Sequence, residues 1–219
     1  LQRNDWKHNL VAERNARTIE APLTFDEVLT TDPTDLDYRR LIASGTWDYE
    51  RSFILGNRAR LQTRGEQLVT PFLLTPDGPA VLVNRGWYPI AERGAVVADL
   101  ASRSDEPLEG LIRTGASNGR ETASGTWTAI DPAVMGATLP YAVLDWIIIE
   151  GHEQAPGGVP PGASLPLQGY LPYISNTPHL EYAATWLGLA TVLIVVAAIR
   201  FIIEPRRARR REAESATNR

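Results

Sequence analysis

Three side chains near the C-terminus, His179, Tyr182 and Trp186, have types and spacing suited to chemistry. Intervals of three and seven residues place them on one face of a helix. Imidazole is a common axial ligand of haem iron, and aromatic rings can flank a macrocycle. The same set also suits a membrane interface, where Tyr and Trp form belts and His is tolerated, so two readings stand side by side. The neighbouring residues support a helix start: Thr177 can cap it, Pro178 fits the first turn, and Glu181 meets the positive end of the dipole.

The element that must carry this face is an apolar run, Tyr182–Ile203, 22 residues long and uncharged until Arg200. A helix of that length is about 33 Å long, enough to cross a bilayer core. Arg206, Arg207, Arg209, Arg210 and Arg211 follow at once, and basic residues mark the cytoplasmic end of a span. The expected topology is a cytoplasmic tail after the span and an outward-facing domain before it. Charge divides in the same way, because residues 1–199 hold 15 Lys+Arg against 23 Asp+Glu, whereas the remainder holds 7 against 3. An acidic outer domain does not suit nucleic acid, whose phosphates need clustered Lys and Arg. The Arg tail reads as a topological signal that also attracts the anionic headgroups of the lipid bilayer. Cys is absent, which excludes disulfides and thiolate metal sites.

Other chemistry is sparse. His8, His152 and His179 are the only histidines, and none shares a short metal-binding spacing with another. No nucleophile elbow, phosphate-cradling Gly loop or dinucleotide fingerprint is present. The abundant carboxylates read as solvated surface. Asp145 beside Trp146 can be a buried acid, but an outward strand position suits it better. No feature argues for an enzyme, and none for a resident metal.

The middle of the chain reads as β-structure. Tyr38–Trp47 and Arg51–Asn57 are short apolar runs punctuated by Gly. The clearest hairpin joins Gln67–Leu74 to Ala80–Tyr88 through Thr75-Pro76-Asp77-Gly78, where Pro fixes φ, Asp bonds its own backbone and Gly tolerates positive φ. Pro71 lacks an N–H, which predicts an edge strand or a bulge at that point. Leu108–Arg113, Thr126–Ile130 and Ala142–Glu150 are further strands by pattern, and Gln154–Pro166 is an extended Pro- and Gly-rich loop. Helix is expected at the N-terminus, as a short turn at Pro132–Gly136, and in the membrane. Leu1–Thr18 lacks the apolar core of a signal peptide, yet an outward domain needs a translocating segment. A second, N-terminal transmembrane helix is therefore inferred upstream of residue 1. Trp6, Leu10 and Val11, surrounded by Arg3, Lys7, Arg14 and Arg17, read either as the helix leaving that span or as an amphipathic surface helix.

Several of these stretches carry a resemblance. Tyr38-Arg39-Arg40, Ser44-Gly45-Thr46-Trp47, Arg58, then Gly65 with Val69-Thr70-Pro71, Asp77-Gly78, Val81 to Pro89 and finally the His179-x-x-Tyr182-Ala183-x-x-Trp186 series follow one another in order. Together they resemble the Surfeit-locus-one family of cytochrome c oxidase assembly factors, and Val83-Asn84-Arg85-Gly86-Trp87 is the most specific block. The resemblance implies two membrane spans flanking one outward domain, and assistance to the building of haem-copper oxidase, especially its haem a step. It assigns the family's histidine at the outer end of the span, implicated in haem interaction, to His179. The family's Asn two places before that histidine is replaced here by Thr177, with Asn176 one place further back. Arg85 has two readings of its own, a contact to a propionate or partner carboxylate and an internal salt bridge. Gly86 is expected to permit a bulge or close packing by Trp87.

The expected fold class is α+β: a mainly antiparallel β exported domain with short helices, plus a C-terminal transmembrane helix. The expected segments are residues 1–20 as helix, 21–178 as the outward β-rich domain, 179–203 as the membrane helix and 204–219 as a basic cytoplasmic tail. His179, Tyr182 and Trp186 are the candidate cofactor-binding residues, with haem a as a transient ligand. The expected partners are cytochrome c oxidase subunits or a respiratory supercomplex, at a bacterial plasma membrane with the domain on the periplasmic side. Rival readings are a permanent accessory subunit without haem, a membrane-tethered exported enzyme, and a ligand-binding module.

Overall fold

The computed structural model describes residues 2–60, 62–103, 106–115, 118–154, 163–171 and 179–203, with the backbone alone at 2–8, 179–181 and 203. The chain divides into two units, Leu1–Ile174 and Ser175–Arg219. The first is α+β, built on a curled, mainly antiparallel sheet of seven strands. These are β1 (Arg40–Ala43), β2 (Thr46–Trp47), β3 (Phe53–Arg60), β4 (Thr63–Leu73), β5 (Ala80–Pro89), β6 (Leu108–Arg113) and β7 (Val143–Glu150). The order across the sheet is β1-β6-β7-β5-β4-β2, with β3 also paired to β4. One pair is parallel, β5 with β7.

The hairpin forms as the turn chemistry predicts, with Leu73 opposite Ala80 and the Gly78 N–H donating to the Thr75 carbonyl at 3.2 Å. Alternate residues of β5 feed two cores. Val81 and Val83 pack with Phe72, Ile112 and Ile148, while Leu82 packs with Leu55, Val69 and Met135. A strand buried on both faces needs no polar alternation, which explains the continuous Ala80–Val83 run. In β7, Trp146 is buried and Asp145 is exposed, the outward position that period two assigns it.

Pro71 departs from its expected setting. Its strand, β4, is interior, with β5 on one side and β2 and β3 on the other. The Pro71 carbonyl accepts from the Asp48 N–H at 3.0 Å, so the ring nitrogen faces the same side. That side is interrupted between Trp47 and Phe53, and the missing donor falls in the gap. The expected strand at Thr126–Ile130 does not form. Trp127 makes only isolated bridges to Leu55 and Glu121, and its ring is buried with Phe53 edge-on at 5.8 Å.

Helix is more abundant than the sequence predicts. After α1 (Gln2–Ile19) come α2 (Phe25–Thr30), α3 (Pro33–Leu36), α4 (Arg93–Ser102) and α5 (Pro132–Gly136), of which α2, α3 and α4 were unexpected. The first two are too short to show periodicity and are set by their ends. The Glu27 carboxylate accepts from the Thr24 N–H at 2.7 Å, and the Asp32 carboxylate accepts from the Thr34 N–H at 2.9 Å. In α4, Val96 and Leu100 lie four residues apart and pack against Tyr88 and Leu68. The end of α1 is tied to the domain: Arg17 donates to Asp35 at 3.2 Å and to the Thr34 carbonyl at 3.1 Å.

The second unit contains α6 (His179–Ala198), continued by a π-helical turn, Ile199–Ile203. Within it Tyr182–Ile202 is long and apolar enough to cross a membrane, and none of it is buried. A helix apolar on all sides and unburied among the described residues suits an apolar solvent and so membrane anchoring. Most of the Gln154–Pro166 loop, the Asn176–Pro178 cap and the Arg206–Arg211 cluster lie outside the described residues.

Candidate functional site

The helix α6 begins at His179, so its backbone carries residues 179, 182 and 186 on one face. Tyr182 and Trp186 are both exposed, at 63% and 70%. The side chains of His179 and Glu181 lie outside the described residues. The face therefore offers two uncovered rings in a row, one helical turn apart.

The Val83–Trp87 block is built around a bulge. Gln67 of β4 stands opposite Trp87 and Val69 opposite Asn84, so Arg85 and Gly86 together face Leu68. Gly86 has φ +106, and a Cβ there would lie 2.7 Å from the Leu167 carbonyl oxygen. The Asn84 carboxamide oxygen caps the distortion by accepting from the Gly86 N–H at 3.0 Å. Trp87 exchanges backbone hydrogen bonds with Leu167, and its indole N–H donates to the Arg58 carbonyl at 2.8 Å. Gly65 opposite leaves room for that indole, since a Cβ there would lie 2.4 Å from it.

The bulge aims Arg85 inward. Arg85 is 2% exposed, its Nε donates to the Glu150 carboxylate, and one terminal nitrogen donates to the Tyr49 hydroxyl at 3.3 Å. The guanidinium lies 3.6 Å from the centre of the Trp47 ring. Of the two readings of Arg85, the internal salt bridge is the one the structure contains. Burial pushes the Glu150 carboxyl above its usual range, against the opposing pull of Arg85. A more deeply buried acid, Glu66, takes a two-pronged grip from Arg93, at 2.9 and 2.5 Å. Beside it, burial and the Glu66 charge push the Tyr88 phenol up to about 12.

Sequence reasoning identified Arg85 but not its partners. Trp47 and Tyr49 lie on either side of Asp48, and Glu150 ends its strand, yet nothing local links them to position 85. His152 is an exposed surface group, with Nδ1 3.3 Å from Glu109. Among the described residues, no group of three His, Asp or Glu side chains can hold a metal ion. Among the described residues of the first unit, one open cavity lies beside Gly56, Arg58 and Thr126, and another between Arg60, Arg113 and Tyr170.

Comparison with known proteins gives this architecture a family. The family model described as SURF1 family matches residues 1–191, from the first helix into α6. A SURF1-like protein of Monosiga brevicollis is 28% identical over 220 residues, covering 89% of this chain and 77% of the relative. Surfeit locus protein 1 of Xenopus tropicalis is 25% identical, covering 92% of this chain and 70% of that one. The Homo sapiens protein of the same name is 25% identical, with 87% and 67% covered. A single family model spanning the sheet, the Arg85 bulge and the start of the apolar helix shows that the chain belongs to the SURF1 family.

Proposed function

We propose that this protein is a membrane-anchored factor that assists the biogenesis of cytochrome c oxidase. Its sheet domain faces the outer side of a bacterial plasma membrane and its basic tail faces the cytoplasm. The observation that carries the reading is the family match over residues 1–191, joined to an apolar helix that is unburied among the described residues. The role is assistance rather than catalysis: the domain meets oxidase subunits and the helix holds it beside them in the bilayer.

In its finer form the proposal makes haem a the cargo. The imidazole of His179 holds the iron for a time, while Tyr182 and Trp186 lie against the macrocycle. The helix phase and the exposure of both rings are compatible with that arrangement. The full chain, purified in detergent with haem a supplied, is expected to show a Soret band that His179→Ala loses. A wild-type protein without the band, or a variant that keeps it, overturns the haem part. Isolation of the mature oxidase in mild detergent tests the broader role. An assembly factor is expected in less than one copy per oxidase, and a full copy would instead identify a permanent accessory subunit.

A further inference from the structure

The sheet face opposite Arg85 carries a row of side chains that the family reading leaves unused. Asn84 of β5 pairs with Ile149 of β7, and Ile149 pairs with Leu111 of β6. Gln67 of β4 joins this floor, and Arg60 and Arg113 come from β3, beyond β4, and from β6, beyond β7. With Tyr38, Tyr170 and Leu171 they enclose a cavity of about 480 Å³.

Among the described residues no carboxylate lines this cavity, although Asp and Glu outnumber Lys and Arg in the chain, 26 to 22. The polar groups around it have their acceptors occupied. The Gln67 carboxamide oxygen takes the Arg58 Nε–H at 3.2 Å, and the Asn84 oxygen takes the Gly86 N–H at 3.0 Å. Among the described residues, both amide nitrogens keep their N–H groups. Arg60 spends one nitrogen on the neutral Gln154 oxygen at 2.7 Å, so its charge is not neutralised there. Arg113 uses its Nε on Asp37 at 3.0 Å and lies 4.2 Å from the centre of the Tyr38 ring, which fixes its plane. What remains on offer is the Arg60 guanidinium, the terminal nitrogens of Arg113 beyond its Asp37 contact, and two amide donors, above a floor of aliphatic carbon. That set complements an oxyanion attached to an apolar frame.

We propose that this cavity binds a phosphate-class oxyanion between Arg60 and Arg113, with Ile149 and Leu171 against the carbon that carries it. Two sources supply such a group: a phospholipid headgroup and free phosphate. Leu171 stands 62% exposed at the rim. An uncovered apolar rim suits the carbon of a lipid, so the headgroup is the source tested first.

The test uses the full chain in uncharged detergent, titrated calorimetrically with short-chain phosphatidylglycerol and, separately, with inorganic phosphate. Saturable binding of the lipid is expected, weakened at least tenfold by Arg60→Gln and partly restored by Arg60→Lys. Arg60 loses only its contact to Gln154 in that exchange, and an unchanged melting temperature confirms the fold. Arg113→Gln provides a second arm, with the same tenfold weakening expected. Lipid binding without phosphate binding assigns the headgroup, and phosphate binding of equal strength assigns the free anion; either supports the site. Saturation by neither probe, or equal binding by wild type and Arg60→Gln, overturns it.

Discussion

Arg85 sits in the most specific stretch of the chain and is almost fully buried. Its charge faces Glu150 and its plane lies against Trp47. Truncating one partner of such a pair strands the other in a dry site, at a cost of roughly 3–5 kcal/mol. Arg85→Met is therefore expected to lower the melting temperature by on the order of 10 °C, measured by calorimetry on the detergent-solubilised chain. The penalty has a pH signature. The Glu150 carboxyl already lies above its usual range through burial, and losing Arg85 raises it further. An acid with a raised folded pKa loses stability at higher pH, so the variant is expected to regain stability as pH falls through that value. A pH-independent deficit would mean that lost packing, not the stranded charge, is the cause. Tyr88 gives the opposite end of the scale. With a folded value of about 12 against an ordinary 10, it stabilises fully below pH 10 and ceases to as pH rises toward 12. Tyr88→Phe is expected to flatten that alkaline limb in a denaturant series.

At the scale of elements, β5 depends on its bulge and α6 on its solvent. Gly86 has positive φ and the Leu167 carbonyl pressed against it, so Gly86→Ala meets strain and a clash together. A loss of about 2 kcal/mol or more is expected in chemical denaturation. The matching substitution at Gly94, where an added Cβ meets nothing within 4 Å, is expected to be neutral or mildly stabilising. If both cost the same, the bulge is not the cause. For α6 the critical property is apolar surface. Leu193→Arg, near the middle of Tyr182–Ile202, adds roughly 3 kcal/mol to the apparent insertion free energy. A measurable soluble fraction after alkaline carbonate washing is expected for the variant and not for the parent. Retention of both would mean that something other than this helix holds the chain to membranes.

At the scale of the whole molecule, a few side chains tie together segments far apart in sequence. Asp48 accepts from Arg51 at 2.8 Å and from the Tyr141 hydroxyl at 2.7 Å, joining the β2–β3 gap to the approach of β7. Burial alone would raise this carboxyl, but the hydroxyl, the guanidinium and the Arg51 N–H outweigh it and hold it below its ordinary value. A depressed acid contributes its stability above the unfolded value and loses it as pH falls through the folded one. Asp48→Asn is thus expected to lower stability at pH 7 and to shallow the decline below pH 4, read from denaturation midpoints. Much of this architecture was legible locally. The Pro-Asp-Gly turn between Leu74 and Ala80 and the 22-residue apolar run are short-range signals, written in neighbouring residues. Residues such as Val96 and Leu100 gave a weaker signal, because a short apolar run such as Ala95–Ala98 fits a buried strand as well as a helix. The family order of motifs, the hairpin, the long apolar helix and the helical phase of His179, Tyr182 and Trp186 were determined by the sequence alone. Tertiary structure decided that β5 lies parallel to β7, that Arg85 meets Glu150 across 65 residues, and that Arg60 and Arg113 share one cavity. The physical reason is one of range. Turn geometry, periodicity and apolar length act between neighbours, whereas a buried charge takes its partner from whichever strand the folded sheet places beside it.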